Sequence, residues 1–251
     1  MPRPQLIAFD FFGTLVANEE SEWVATLTTI TQEQSLDIPG AELHAAWGAR
    51  EQNFRKTRTN MADPPNSPPF RTYWQAWRDA FAETFAALNL PGDADAAATR
   101  CVEDHRSRKA FADTNAALIQ LVEQAPLAIM SNADDRFLDG SIAFNGWTFD
   151  PVISSETAQA YKPDPRAFAA LCTATGVAAA DILYVGDSPY DDAHGAKLVG
   201  MQTVLINRDQ RTPGRTPPPD ATALLEPGHQ ITALTELPAL LNELAKIHRQ
   251  T

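Results

Sequence analysis

The chain is poor in cysteine, in basic side chains and in long apolar runs, and each shortage closes off a class of protein. Its two cysteines, Cys101 and Cys172, are far apart and lack any Cys-x-x-Cys or Cys/His spacing. Such a pair builds neither a zinc centre nor a disulfide framework, and both read as small buried apolar side chains. No stretch approaches the roughly 20 apolar residues that span a bilayer, so no membrane partner is expected. Lysine and arginine number 20 against 32 aspartates and glutamates, a formal charge of −12. That balance repels phosphate backbones and anionic lipid surfaces, which removes nucleic acid from the expected partners. A small anionic metabolite stays compatible with it, because basic groups, backbone amides and a metal ion gathered in one cleft outweigh the mean charge. Met1-Pro2-Arg3-Pro4 runs straight into an apolar strand pattern without the apolar region and cleavage site of a secretory signal. A cytoplasmic location is the expectation.

What is present is a change of period along 251 residues, enough chain for one large domain or for a core with an insertion. Residues 5 to 10 read as a buried strand, and helical periodicity then holds from Leu15 to about residue 105. Glu22 to Glu33, Ala41 to Arg58, Tyr73 to Leu88 and Asp93 to Arg108 are the expected helices, with a proline-rich loop over Met61 to Pro69. Trp23, Trp47, Trp74 and Trp77 read as packing residues of these helices. From Thr114 strands and helices alternate: helix 114–124, strand 126–131, helix 134–144, strand 151–154, helix 165–175, strand 182–186, helix 191–200 and strand 202–206. A proline-rich surface loop over Arg211 to Asp220 and a closing helix over Ile231 to Ile247 complete the chain. The alternation predicts an α/β core, a Rossmann-like parallel sheet with helices on both faces, formed by residues 1–16 and 109–251. Residues 17–108 form an inserted all-helical domain.

Ligands of open parallel sheets bind beyond the carboxyl ends of the strands, and the reactive side chains gather there. Asp10 ends the first strand and enters a glycine turn, where a carboxylate is an adequate nucleophile toward an electrophile held in line. Ser131 and Asn132 follow the apolar stretch 126–130. Lys162, in Tyr161-Lys162-Pro163-Asp164-Pro165, carries an ammonium that could pair with Asp10 and neutralise developing charge. After the strand 182–185 come Asp187, Asp191 and Asp192, hard oxygen donors of the kind magnesium takes. Each feature alone has a plainer reading: a strand-terminal turn, a helix cap, a solvated lysine, an acidic first turn of a helix.

In this order, Asp10-Phe11-Phe12-Gly13-Thr14-Leu15, Ser131-Asn132, Lys162-Pro163 and Gly186-Asp187-Ser188-Pro189-Tyr190-Asp191-Asp192 resemble the four motifs of the haloacid dehalogenase-like (HAD) superfamily of hydrolases. The resemblance implies a helical cap after the first motif and a covalent aspartyl intermediate on Asp10. Ser131, Asn132 and Lys162 would hold the anionic substrate, and magnesium would sit on Asp10, Phe12, Asp187 and Asp192 or Asp191. Asp192 is preferred, because Asp-x-x-Gly-Ala-Lys over residues 192–197 matches one form of the fourth motif. One position departs. Most HAD phosphatases carry a second Asp where this chain has Phe12, and losing such an acid-base group removes about 10²- to 10⁴-fold of rate.

The expectation is therefore a magnesium-dependent phosphatase of a small metabolite that either acts on a good leaving group or takes its acid from the helical cap, with His44, His105, Glu51 and Glu103 as candidates. The alternative is a 2-haloacid dehalogenase-like hydrolase, which carries an aromatic residue at this position, loses halide without an acid and requires no metal. Against it stand Gly186-Asp187, where dehalogenases have Ser and Asn, and the arginines after Trp47, since Arg50, Arg55 and Arg58 miss the family register. A noncatalytic HAD-fold binding protein is the third reading. Carbon–phosphorus cleavage would need a Schiff-base lysine, and Lys56 and Lys109 sit in no recognisable motif.

Overall fold

The computed structural model describes residues 3–208 and 223–248. Its regular elements, short 3₁₀ and π turns aside, are β1 (Leu6–Phe9), α1 (Glu20–Glu33), α2 (Gly40–Thr57), α3 (Tyr73–Leu88), α4 (Ala94–His105), α5 (Thr114–Leu121), β2 (Leu127–Ser131), α6 (Asp135–Phe144), β3 (Val152–Ser154), α7 (Ser155–Ala158), α8 (Pro165–Thr175), β4 (Ile182–Gly186), α9 (Gly195–Leu198), β5 (Gln202–Ile206), β6 (His229–Ile231) and α10 (Leu237–His248). Contacts divide them into two units. The proline-rich stretch Arg211 to Asp220 lies outside the described residues.

The first unit, Met1–Ala17, Lys109–Asn132 and Thr148–Thr251, holds a six-stranded sheet in the order β3-β2-β1-β4-β5-β6. Every pairing is parallel, with Phe9 of β1 opposite Ile129 of β2 and Val185 of β4. A strand buried on both faces reads as an unbroken apolar run, and all four residues of β1 are buried. Leu6 and Ala8 enter a core with Phe168 and Leu171 of α8. Ile7, pointing the other way, lines a groove of about 370 Å³ with Leu241 of α10. Helices therefore cover both faces, as the sequence predicts. Strand order reverses at β1, so the carboxyl ends of β1, β2 and β4 flank the switch point where such sheets bind ligands.

Two segments of this unit differ from expectation. The predicted helix 191–200 is a π-helical turn over Pro189–His194 followed by the single turn of α9. Ser188 drives it: its side chain accepts from the Asp191 amide at 3.0 Å, and its carbonyl takes both the Asp192 and Ala193 amides at 3.1 Å. The predicted closing helix begins as β6, with Ile231 beside Ile206 of β5, and becomes α10 only after Glu236 has accepted the Thr232 and Ala233 amides.

The second unit, Asn18–Arg108 and Ala133–Trp147, holds α1–α4 and α6. Its interior is aromatic: Trp23 lies 5.1 Å from Trp47 and 5.4 Å from Trp77, and Trp77 stacks on Phe137 at 5.5 Å. The sequence reading places α6 with the core, whereas contacts group it here. The reason is a cap reached across 61 residues: Asp134 accepts the Tyr73 and Trp74 amides at 2.7 and 2.8 Å, satisfying the first turn of α3.

Candidate active site

Asp10 follows β1 directly, and its amide extends the ladder to the Val185 carbonyl at 2.9 Å. The chain then turns through Gly13, whose φ of +94° is a region that side chains disfavour. A Cβ at Gly13 would stand 2.7 Å from an Asp187 carboxylate oxygen, and one at Gly186 would stand 2.4 Å from the Asp192 carboxylate. These two glycines leave the room in which two acidic side chains approach the end of β1.

Asp10, buried at 6% exposure, accepts at Oδ1 from Ser131 Oγ at 2.9 Å and from Lys162 Nζ at 2.7 Å. Among the described residues its Oδ2 receives only a long contact from Thr14 Oγ1, 3.4 Å away, and the same hydroxyl lies 3.3 Å from Asp187 Oδ1. The Lys162 ammonium also donates to Asp192 Oδ1 at 2.6 Å and to the Tyr184 hydroxyl at 2.6 Å. Burial pulls this ammonium down, but Asp10, Asp192 and Tyr184 outweigh it and hold it well above its ordinary value. Burial pushes the Asp192 carboxyl up; Lys162 opposes the shift, and the charges of Asp10 and Asp187 reinforce it.

Asp10, Ser131, Lys162, Asp187 and Asp192, far apart in the chain, thus meet in one cluster. Of the two competing acids, buried Asp192 reaches Lys162, because the π turn rotates it inward. The carboxylates that converge among the described residues are Asp10, Asp187 and Asp192, so Asp191 stands outside the set. Asn132, expected to touch substrate, commits both side-chain polar atoms to the Lys162 main chain: Nδ2 donates to its carbonyl at 3.1 Å and Oδ1 accepts from its amide at 2.8 Å. Phe12 packs edge-on against Phe11 at 5.0 Å and carries no acid.

The candidate acids of the helical unit have other engagements. His105 is buried against Trp23 and Trp77, and burial, reinforced by Arg108, pushes its imidazole down to about 3. Glu51 pairs with Arg55, Glu103 with Arg106 and Arg136, and His44 packs on Trp47. Arg58 is buried with its guanidinium on the Tyr73 hydroxyl. Thr14 and Tyr184 belong to the cluster and were not anticipated. Tyr184 carries one faint signal, a polar-tipped ring inside an otherwise aliphatic strand.

Carboxylate oxygens of Asp10, Asp187 and Asp192 lie within 4.8 Å of one another. This donor set is all hard oxygen and suits a magnesium ion, although Lys162 already engages one oxygen on two of the three.

A model of the haloacid dehalogenase-like hydrolases matches residues 4–200 of this chain. The chain belongs to that family. It is 27% identical over 243 residues to (S)-2-haloacid dehalogenase 1 of Pseudomonas sp. (strain CBS-3), covering 95% of this chain and 96% of the relative. It is 29% identical over 224 residues to the (S)-2-haloacid dehalogenase of Pseudomonas sp. (strain YL), covering 87% and 90%. The structure of L-2-haloacid dehalogenase from Xanthobacter autotrophicus aligns with a TM-score of 0.75 at 23% identity, over 96% of this chain and 100% of that one, and shares the HAD fold.

These relatives overturn the expectation of a magnesium-dependent phosphatase. The physical reason lies at Phe12. An alkoxide leaving from a phosphate ester needs a proton, which an aromatic side chain cannot give, whereas a halide leaves as a stable anion.

Proposed function

We propose that this HAD hydrolase is a 2-haloacid dehalogenase acting on small 2-halogenated carboxylic acids, with Asp10 as nucleophile. The observation that carries the reading is the unequal bonding of the Asp10 carboxylate: Oδ1 accepts two short hydrogen bonds and Oδ2 only a long one. Oδ2 is the freer electron pair. It forms a bond to C2 of the substrate while the carbon–halogen bond breaks, and the halide leaves with its electrons. The product is an ester whose carbonyl oxygen is Oδ1. Water then adds to that carbonyl carbon, and the ester breaks to a 2-hydroxy acid and the original carboxylate, with release of one proton.

During the second step negative charge grows on Oδ1, where Ser131 Oγ and Lys162 Nζ already donate. They form a preorganised oxyanion site, and removing one such donor typically costs about 10²- to 10³-fold in rate. Asn132 holds the Lys162 backbone in place for this. Asp10, Asp187 and Asp192, with the Phe12 carbonyl, would hold a magnesium ion, which would supply positive charge beside the anionic substrate; halide displacement calls on no such ion. Among the described residues no helix is long and apolar enough to cross a membrane, and free Cys101 and Cys172 accord with a reducing cytoplasm.

Chloride release from the two enantiomers of 2-chloropropionate tests the reading. Wild type is expected to release chloride in the presence of chelator, and Asp10→Asn to release none. Absence of release from wild type with either enantiomer, or equal release from Asp10→Asn, would overturn it.

A further inference from the structure

Tyr184 stands on β4 two residues before Gly186, wholly buried, with its ring edge against Phe168 at 5.4 Å. Its hydroxyl accepts from Lys162 Nζ at 2.6 Å and donates to the Met130 carbonyl at 2.6 Å. An ammonium has three protons, and Lys162 Nζ has four acceptors in reach: Asp10 Oδ1, Asp192 Oδ1, the Tyr184 hydroxyl and, at 3.1 Å, the Met130 carbonyl. The Tyr184 proton occupies the Met130 carbonyl and the third ammonium proton goes to Tyr184. Every proton then has one short acceptor.

We propose that Tyr184 is a positioning residue of the reaction, whose hydroxyl, braced on the Met130 carbonyl, keeps the Lys162 ammonium in register with Asp10 Oδ1. The proposal rests on the reading of Asp10 as nucleophile. Lysine is a point charge on a flexible four-carbon stem, and direction must be given to it by its surroundings. Without the Tyr184 hydroxyl, the buried Met130 carbonyl has lost a donor and the ammonium a short acceptor. Those two groups, 3.1 Å apart, satisfy each other, which draws Nζ deeper and away from Asp10. The oxyanion donor of the second step is then misplaced. Tyr184 itself sits below the ammonium in the core shared with α8, so the loss falls on turnover.

Tyr184→Phe keeps the ring and its packing and removes only the hydroxyl. The experiment pairs the kinetics of chloride release from 2-chloropropionate with a crystal structure of the folded variant. The expected result is a fall in kcat of about 10- to 100-fold with kcat/KM unchanged within about twofold, because halide has already left irreversibly before the slowed step, and Nζ displaced beyond about 3.5 Å from Asp10 Oδ1. A ring that serves packing alone predicts unchanged kcat and an unmoved ammonium, and either result overturns the proposal. If wild type releases no chloride, the dehalogenase reading has failed separately, and the position of Nζ in the variant still decides whether Tyr184 holds it.

Discussion

Lys162 is the hub of the site: one buried ammonium faces Asp10 and Asp192 directly, with Asp187 beside them. Asp192 also takes the Ser188 amide on its second oxygen at 2.9 Å, so both of its oxygens face donors. An asparagine there would turn its NH₂ group toward either the ammonium or the amide, donor against donor. Asp192→Asn is therefore expected to lower kcat for 2-haloacids by about 10²-fold through a displaced Lys162. Asp191→Asn removes a charge outside the cluster and should change kcat by less than about threefold. Steady-state kinetics of the two variants decide the matter, and equal losses would contradict the assignment of the inward position to Asp192. In the proposed dehalogenation, the aromatic ring of Phe12 suits a leaving group that needs no proton.

The elements that could be read from the sequence are those whose burial pattern is simple. β4, β5, α3 and α8 match their predicted bounds because buried parallel strands are unbroken apolar runs and α8 carries its own punctuation, Pro165 at its start and Gly176 at its end. Asp10, Ser131 and Asp187 stand out in the sequence for the related reason that they lie at or just after apolar stretches, and Lys162 stands out by its Tyr161-Lys162-Pro163-Asp164-Pro165 motif. What escaped depends on partners distant in sequence. The grouping of α6 rests on Asp134 capping α3, and β6 exists through its pairing with β5. The motif favours Asp192 over Asp191, but the physical reason, the extra residue in the π turn, is one that a helical period conceals.

His105 at the end of α4 is a candidate acid by sequence, and the aromatic interior makes it a buried neutral ring that donates from Nδ1 to the Cys101 carbonyl at 2.7 Å. Its imidazole is held down from 6.5 to about 3, so below 6.5 the unfolded chain binds a proton that the folded chain refuses. Stability is lost as pH falls through that window, and lowering pH from 7 to 4.5 should remove about 3 kcal/mol through this group. Urea melts of wild type and His105→Phe at the two pH values measure it, the variant being expected to lose that much less. Identical acid losses would show that the ring is protonated in the folded state.

Taken together, a protein with a formal charge of −12 is proposed here to act on an anion, and it resolves the conflict locally. The sheet brings a buried ammonium, a serine hydroxyl and the Asp10 carboxylate to one edge, where positive charge and oriented donors outweigh the mean field. The central claim is that the carboxylate of Asp10 itself attacks the substrate carbon, and water reaches only the resulting ester. A single turnover of excess enzyme on 2-chloropropionate in ¹⁸O-labelled water, followed by mass spectrometry of the Asp10 peptide and the product, tests this directly. The account predicts one ¹⁸O in the Asp10 carboxylate and none in the new hydroxyl of the 2-hydroxy acid. Label in that hydroxyl with an unlabelled Asp10 would show water attacking carbon and would contradict it.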